Sequence, residues 1–146
     1  MHELNTEEIN ILRPLVERHL KVTKLGHRTS VDFALSSAVM AIHADTGKVW
    51  CDDVENPTCY VFASVVRRSL FNEVAGLVEA IYVDESCKRK ASSVTKMVKQ
   101  AETYFKFKKC SVSHLSSWVM GDLPDLSKIW HRMGYATQEI ITTKTL

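Results

Sequence analysis

The sequence predicts a mixed α/β chain of the α+β kind, with one central, mostly antiparallel sheet flanked by helices. Three observations carry that expectation. Apolar residues recur at three- and four-residue steps in the segments beginning at Ile9, Val31 and Val94, the mark of helices with one buried face. Between the second and third of these lie short β-branched and aromatic runs bounded by turn residues, which read as a meander. After the third helix a strand, a short helix and a last strand follow. With 146 residues the chain has enough length for one real core and too little for two, so residues 1–146 are expected to form a single domain.

The elements follow in order. Asn5-Thr6-Glu7-Glu8 is a helix start, with Asn5 or Thr6 as cap and Glu8 able to close a capping box. Ile9, Leu12, Val16 and Leu20 carry the stripe onward. Pro14 should split this helix near Leu12, because proline has no N–H to donate and crowds the preceding turn. Gly26 is expected to end the unit. Thr29-Ser30 precede a second helix through Val31, Ala34, Leu35, Ala38, Val39 and Ile42, stopped by Asp45-Thr46-Gly47. Its β-branched content leaves a strand open for Ala38 to His43. Lys48 to Cys51 is a short strand, Asp52 to Thr58 a turn and Cys59 to Val66 a long apolar strand. Arg67 to Asn72 turns again, and Val74 to Val83 is the third strand. A long helix then buries Val94, Met97, Val98, Ala101, Tyr104 and Phe105 on one face. Lys109 to Leu115 is a strand, Trp118 to Pro124 a loop, Leu126 to Met133 a short helix ended by Gly134, and Thr137 to Leu146 a final strand.

Composition narrows the function classes. No apolar run approaches the roughly 20 residues that span a bilayer, and the polar, acidic start is unlike a signal peptide. A cytoplasmic, non-membrane protein is therefore expected. Net charge is only +2, low for a nucleic-acid partner. Cys51, Cys59, Cys87 and Cys110 form no C-x-x-C pair and have no histidine at zinc-finger spacing, so neither a metal site nor a disulfide framework is expected.

The chemistry is expected between the third strand and the long helix. A polar turn, Asp84-Glu85-Ser86, and a basic knot, Lys88-Arg89-Lys90, would bring backbone N–H groups, cationic side chains and the positive helix end to one spot. That combination holds an anion, most often a phosphate. Lys88, Arg89, Lys90, Lys96, Lys99, Lys106, Lys108 and Lys109 are eight of the 19 Lys and Arg residues; the same charges also read as a solvated helix face.

Three local patterns, Ile81-Tyr82-Val83-Asp84-Glu85, Ile129-Trp130-His131-Arg132-Met133-Gly134-Tyr135 and Lys144-Thr145-Leu146, in this element order, resemble the second half of the GNAT N-acetyltransferase superfamily. The likeness runs from Val74 to the C-terminus and rests on element order alone before that. It implies an acetyl-CoA-dependent transfer of acetyl to an amine. Tyr82 and Val83 would offer backbone amides to the thioester carbonyl, and residues Lys88, Arg89, Lys90, Ala91, Ser92 and Ser93 would wrap the pyrophosphate. Lys88, Ala91 and Ser93 stand where that family has a basic residue and two small residues, usually glycines; neither glycine is present. Trp130 replaces the family's tyrosine acid. Glu79 and His114 are the candidate bases, and Glu79, within an apolar run, would have its pKa raised if buried. Loss of the glycines and the tyrosine opens an alternative: a catalytically inactive binding or assembly protein of this fold, of the size that tailed phages carry. A homodimer through exposed edge strands, the last one above all, follows from the fold analogy.

Overall fold

In a computed structural model, which describes residues 1–24, 26, 28–69, 72–115 and 127–136, the chain opens on a strand that the sequence does not announce. β1 (His2–Leu4) pairs antiparallel with β2 (Gly47–Cys51), setting Leu4 opposite Val49. A three-residue strand with one central-facing apolar residue carries no alternation to detect; pairing, burial of Leu4 and a Lys48–Glu3 ion pair across the ladder supply the rest. The chain divides into two compact units, Met1–Ser116 and Ser117–Leu146.

The first unit begins its helical part as expected. Asn5 Oδ1 accepts from the Glu7 and Glu8 amides at 2.9 and 3.1 Å, and the Glu8 carboxylate accepts from the Asn5 amide at 2.9 Å, which is a closed capping box. The split at Leu12 is also present. A 3₁₀ turn, Ile9–Leu12, gives way to α1 (Arg13–Val22), with Pro14 in the first turn of α1, where a missing N–H removes no helical bond. α1 stops before Gly26, because Lys24 itself takes a positive φ of 56°. α2 (Val31–His43) is capped by Ser30, whose Oγ accepts from the Phe33 amide at 3.1 Å. It stays helical through 38–43, since Val39 and Ile42 pack onto the core formed with the sheet and burial outweighs β propensity. The Asp45 and Thr46 amides close it on Ile42 and Ala41, with Asp45 at φ 55°.

β3 (Cys59–Arg68) and β4 (Glu73–Val83) complete the meander, and β5 (Val112–Leu115) adds to β4 in parallel, giving a sheet of order β1-β2-β3-β4-β5. β3 runs two residues past its expected end, because Arg67 and Arg68 pair with Val74 and Glu73 and the Arg68–Glu73 charges lie 3.7 Å apart. β5 starts later than Lys109, because Lys109 (φ 57°) and the Cys110 amide, bonded to the Phe105 carbonyl, still belong to the end of α3 (Lys90–Phe107).

Alternation along the strands sends side chains to two layers. Leu4, Val49, Cys51 and Tyr60 join Ile9, Leu12, Leu15, Val16, Leu35 and Ala38 in one buried cluster under the 3₁₀ turn, α1 and α2. Trp50 points the other way and meets Tyr104 of α3 edge-on, ring centroids 5.9 Å apart. In the second unit α4 (Ser127–Arg132) ends at Gly134, φ 90°, with the Tyr135 amide bonded to the Trp130 carbonyl. The expected loop 118–124 and last strand 137–146 lie outside the described residues. Among the described residues no helix is long and apolar enough to cross a membrane.

α3 seats on β4 through a close contact: a Cβ built on Gly76 would lie 2.3 Å from the Phe105 ring, and Phe105 is buried. Gly76→Ala should therefore cost about 1–3 kcal/mol by overpacking, read as a lower urea midpoint. Phe105→Leu introduced into that variant should return part of the loss. An unchanged midpoint in Gly76→Ala would show that α3 rides higher on the sheet.

Candidate functional site

β4 carries one residue more than its partner. Phe62 pairs with Ala80 and Ala63 with Val78, so Glu79 has no counterpart and forms a bulge. On the other edge β5 pairs with residues 75–78 only. Glu79 is thus the first residue beyond the parallel ladder as well as the surplus residue of the antiparallel one. From Ala80 to Val83, β4 has a partner on its β3 side alone among the described residues.

The side of β4 away from β3 has a defined set of amides. The Asp84 N–H donates to the Thr58 carbonyl at 2.8 Å. Hydrogen-bonded and non-bonded pairs alternate along an antiparallel ladder, so Tyr82 and Ala80 direct their amides to Tyr60 and Phe62. Ile81 and Val83 direct theirs to the side that has no strand partner among the described residues. Of the two residues expected to offer amides, Val83 turns its amide to that side and Tyr82 turns its amide toward β3. Strand parity, not residue type, makes this choice.

Glu79 is exposed, not buried within the apolar strand. Its carboxylate accepts from the hydroxyl of Ser64, a buried residue on β3. The bulge explains both facts, since the extra residue turns the side chain out of the strict alternation. His114, beside Leu77 on β5, sits within hydrogen-bonding reach of Arg68, Nη1 to Nε2 being 3.0 Å. A guanidinium only donates, so Nε2 is the accepting nitrogen and its lone pair is already engaged. Of the two candidate bases, Glu79 is the exposed one, and His114 is half-buried beside Arg68.

Val83 leads into the turn before α3, which Asp84 organises. Asp84 is buried; its carboxylate accepts from the Ser86 hydroxyl and amide at 2.7 and 3.0 Å and pairs with Arg18 at 2.6 Å. The Ser86 bonds hold its pKa below the ordinary carboxylate range. α3 then starts at Lys90 with Arg89 at the N-cap, no side-chain cap and no acidic residue in the first turn. The Ser93 amide makes the first helical bond, to the Arg89 carbonyl at 2.9 Å, so the amides of Lys90, Ala91 and Ser92 precede the ladder. Lys88, Arg89, Lys90, Ala91 and Ser92 are exposed, while Ser93 is half-buried with its hydroxyl 3.4 Å from Cys87 Sγ. No residue from 84 to 93 has a positive φ, so this backbone does not require the missing glycines for its torsions. Trp130 lies on α4 in the second unit, buried, its indole N–H without a partner among the described residues.

Residues that the sequence reading did not single out also border this strand. His19 of α1 stacks on Tyr82, centroids 4.9 Å apart and planes 14° apart, and its Nδ1 lies 2.7 Å from the Tyr60 hydroxyl. Ser64, Arg68 and Arg18 likewise reach the site only through register and helix docking; no local pattern marks them. A concavity of about 330 Å³ beside α2, lined by Ile9, Arg13, Leu35 and Met40 among others, includes no residue of β4 or α3.

The sequence matches no known protein-family profile and no curated protein. Solved structures do match over nearly the whole chain. A GCN5-related N-acetyltransferase from Ralstonia eutropha JMP134 superposes with a TM-score of 0.74 at 14% identity, over 99% of this chain and 96% of that one. A ribosomal-protein-alanine N-acetyltransferase from Brucella melitensis biovar Abortus 2308 gives 0.72 at 14%, over 99% and 98%. AAC(6')-Iy in complex with the bisubstrate analog CoA-S-monomethyl-acetylneamine gives 0.73 at 13%, over 99% and 96%. The chain has the GNAT fold.

The stacked histidine generates a prediction. Burial lowers the His19 pKa from 6.5 to about 4, so between those values the unfolded chain binds a proton that the folded chain does not. Stability from this group is complete above pH 6.5 and is lost as pH falls toward 4, at most about 3 kcal/mol. His19→Gln, which keeps a partner for Tyr60, should flatten the urea-denaturation stability profile across that window. Equal slopes in the two proteins would show that His19 titrates alike folded and unfolded.

Proposed function

We propose that this chain is an acetyl-CoA-dependent N-acetyltransferase acting on an amine. One observation carries the reading: the edge of β4 beyond Glu79, which has no strand partner among the described residues, leads directly into the uncapped, basic start of α3. A linear ligand with an amide-bearing arm and a pyrophosphate fits that sequence of donors, and the CoA analog named for AAC(6')-Iy is of this type. Acetyl-CoA, when bound, supplies an acetyl group activated as a thioester.

The chain's own groups divide the remaining work. Ile81 and Val83 amides donate along the open edge, which orients the arm and draws electron density toward the thioester oxygen. Lys88, Arg89 and Lys90, with the first amides of α3, hold the pyrophosphate. Glu79 accepts a proton from the incoming amine, directly or through one water; its bond from Ser64 fixes the carboxylate while leaving acceptor capacity on the second oxygen. Transfer is direct, with no acyl group on the protein.

A non-catalytic binding or assembly module of the same fold is the second reading. The indole of Trp130 supports it, since that group is no practical acid, as do Ala91 and Ser93 at the two positions where the pyrophosphate loop usually has glycine.

Acetyl-CoA at about a hundred times its Kd should stabilise the protein by about 2.7 kcal/mol and raise its Tm by several degrees. Lys88→Glu with Arg89→Glu should abolish the rise; a rise that persists would move the phosphate site elsewhere, and no rise at millimolar acetyl-CoA in the unaltered chain would defeat the acetyltransferase reading and favour the binding or assembly module. For any amine turned over in a CoA-release assay, Glu79→Gln should keep the Tm rise and slow turnover by about a hundred-fold or more. An unslowed Glu79→Gln would remove Glu79 from the chemistry, and a Tm rise without turnover across an amine panel would favour the binding module.

A further inference from the structure

The turn between β4 and α3 also brings two thiols together, and acetyl transfer uses neither. Cys59 opens β3 opposite Val83, the last residue of β4. Cys87 follows in the turn, its amide bonded to the Asp84 carbonyl at 3.1 Å. The Ser93 hydroxyl lies 3.4 Å from Cys87 Sγ and also against the Cys59 thiol, so one side chain spans both sulfurs.

We propose that Cys87 and Cys59 form an exchange-active thiol pair, with Cys87 attacking and Cys59 resolving, whose substrate class is a low-molecular-weight disulfide. Their surroundings differ in the way those roles need. Cys87 is half-buried. The Ser93 hydroxyl, then the Arg89 amide and the Thr58 hydroxyl, hold its pKa below the ordinary thiol value. Cys59 is fully buried, and burial pushes its pKa up to about 12. Burial likewise raises Cys51, to about 11, and Cys110, which leaves Cys87 as the entry point.

With glutathione disulfide as reactant, the Cys87 thiolate forms a bond to one sulfur, the disulfide bond breaks and one glutathione leaves as thiolate. Cys59 then attacks the Cys87 sulfur, and its proton passes to the second glutathione thiolate as that group is expelled. Two protein thiols are oxidised by two electrons, and one glutathione disulfide is reduced to two glutathiones. Closing a sulfur–sulfur bond of about 2 Å requires the Ser93 hydroxyl, which lies against both thiols, to turn aside. The product is protected, because expelling the better leaving group, Cys87, means attacking the buried sulfur of Cys59.

The test incubates the full native chain with glutathione disulfide, quenches it by acid and alkylation, and reads intact mass and peptide map. The expected product is the chain less two hydrogens with Cys59 and Cys87 in one linked peptide. Cys59→Ala should stop at a single glutathione adduct on Cys87, and Cys87→Ser should leave Cys59 unmodified. A lasting adduct on Cys87 in the unaltered chain, a link or adduct at Cys51 or Cys110, or no reaction would each overturn the proposal. The map of the unaltered chain decides the matter even where Cys59→Ala lowers stability. Neither result depends on acetyl-CoA binding.

Discussion

β4 has eleven residues and β3 ten, and the surplus residue, Glu79, cannot be absorbed without breaking the ladder at one point. A bulge concentrates twist and bends its strand. Here it falls where the parallel ladder with β5 stops, so β4 leaves one neighbour while it is bent against the other. Everything proposed for the site depends on that coincidence. It leaves the Ile81 and Val83 amides without a strand partner among the described residues, and it turns a carboxylate outward from a strand that is otherwise largely apolar. It also aims the end of β4 at the start of α3.

The turn that follows is held from three sides. Asp84 is buried and engaged by Arg18 from α1 and by Ser86 within the turn, while its own amide continues the ladder to Thr58. A buried carboxylate is tolerable only when its acceptors are filled, and filling them fixes the chain's path into α3. On the far side of the sheet the Gly76–Phe105 contact sets how closely α3 approaches. The exposed basic residues at the helix start thus stand on a turn that is held in place, as the proposed pyrophosphate contact requires.

Much of this was readable from residue type and spacing. The capping box of Asn5 and Glu8, the break at Pro14, the buried stripe of α3 and the basic knot before it are local devices, each decided by a few neighbouring residues. β1 and the last two residues of β3 were not readable, because their strand character comes from a partner distant in sequence: Leu4 from Val49, Arg68 from Glu73. His114 illustrates the limit at the site. Its residue type made it a candidate base, and only the register between β3, β4 and β5 brought Arg68 to its Nε2.

The sequence by itself determined the helices, the core stripes, the α+β class and the place where cationic side chains meet a helix start, since these follow from short-range periodicity and composition. Only the tertiary structure decided which β4 amides face away from β3, that Glu79 is exposed beside Ser64, and that Cys59 and Cys87 share the Ser93 hydroxyl. Those facts depend on register, and register is a property of paired strands. One extra residue in β4 changes every outward-facing group beyond it, and no inspection of β4 alone reveals that it is extra.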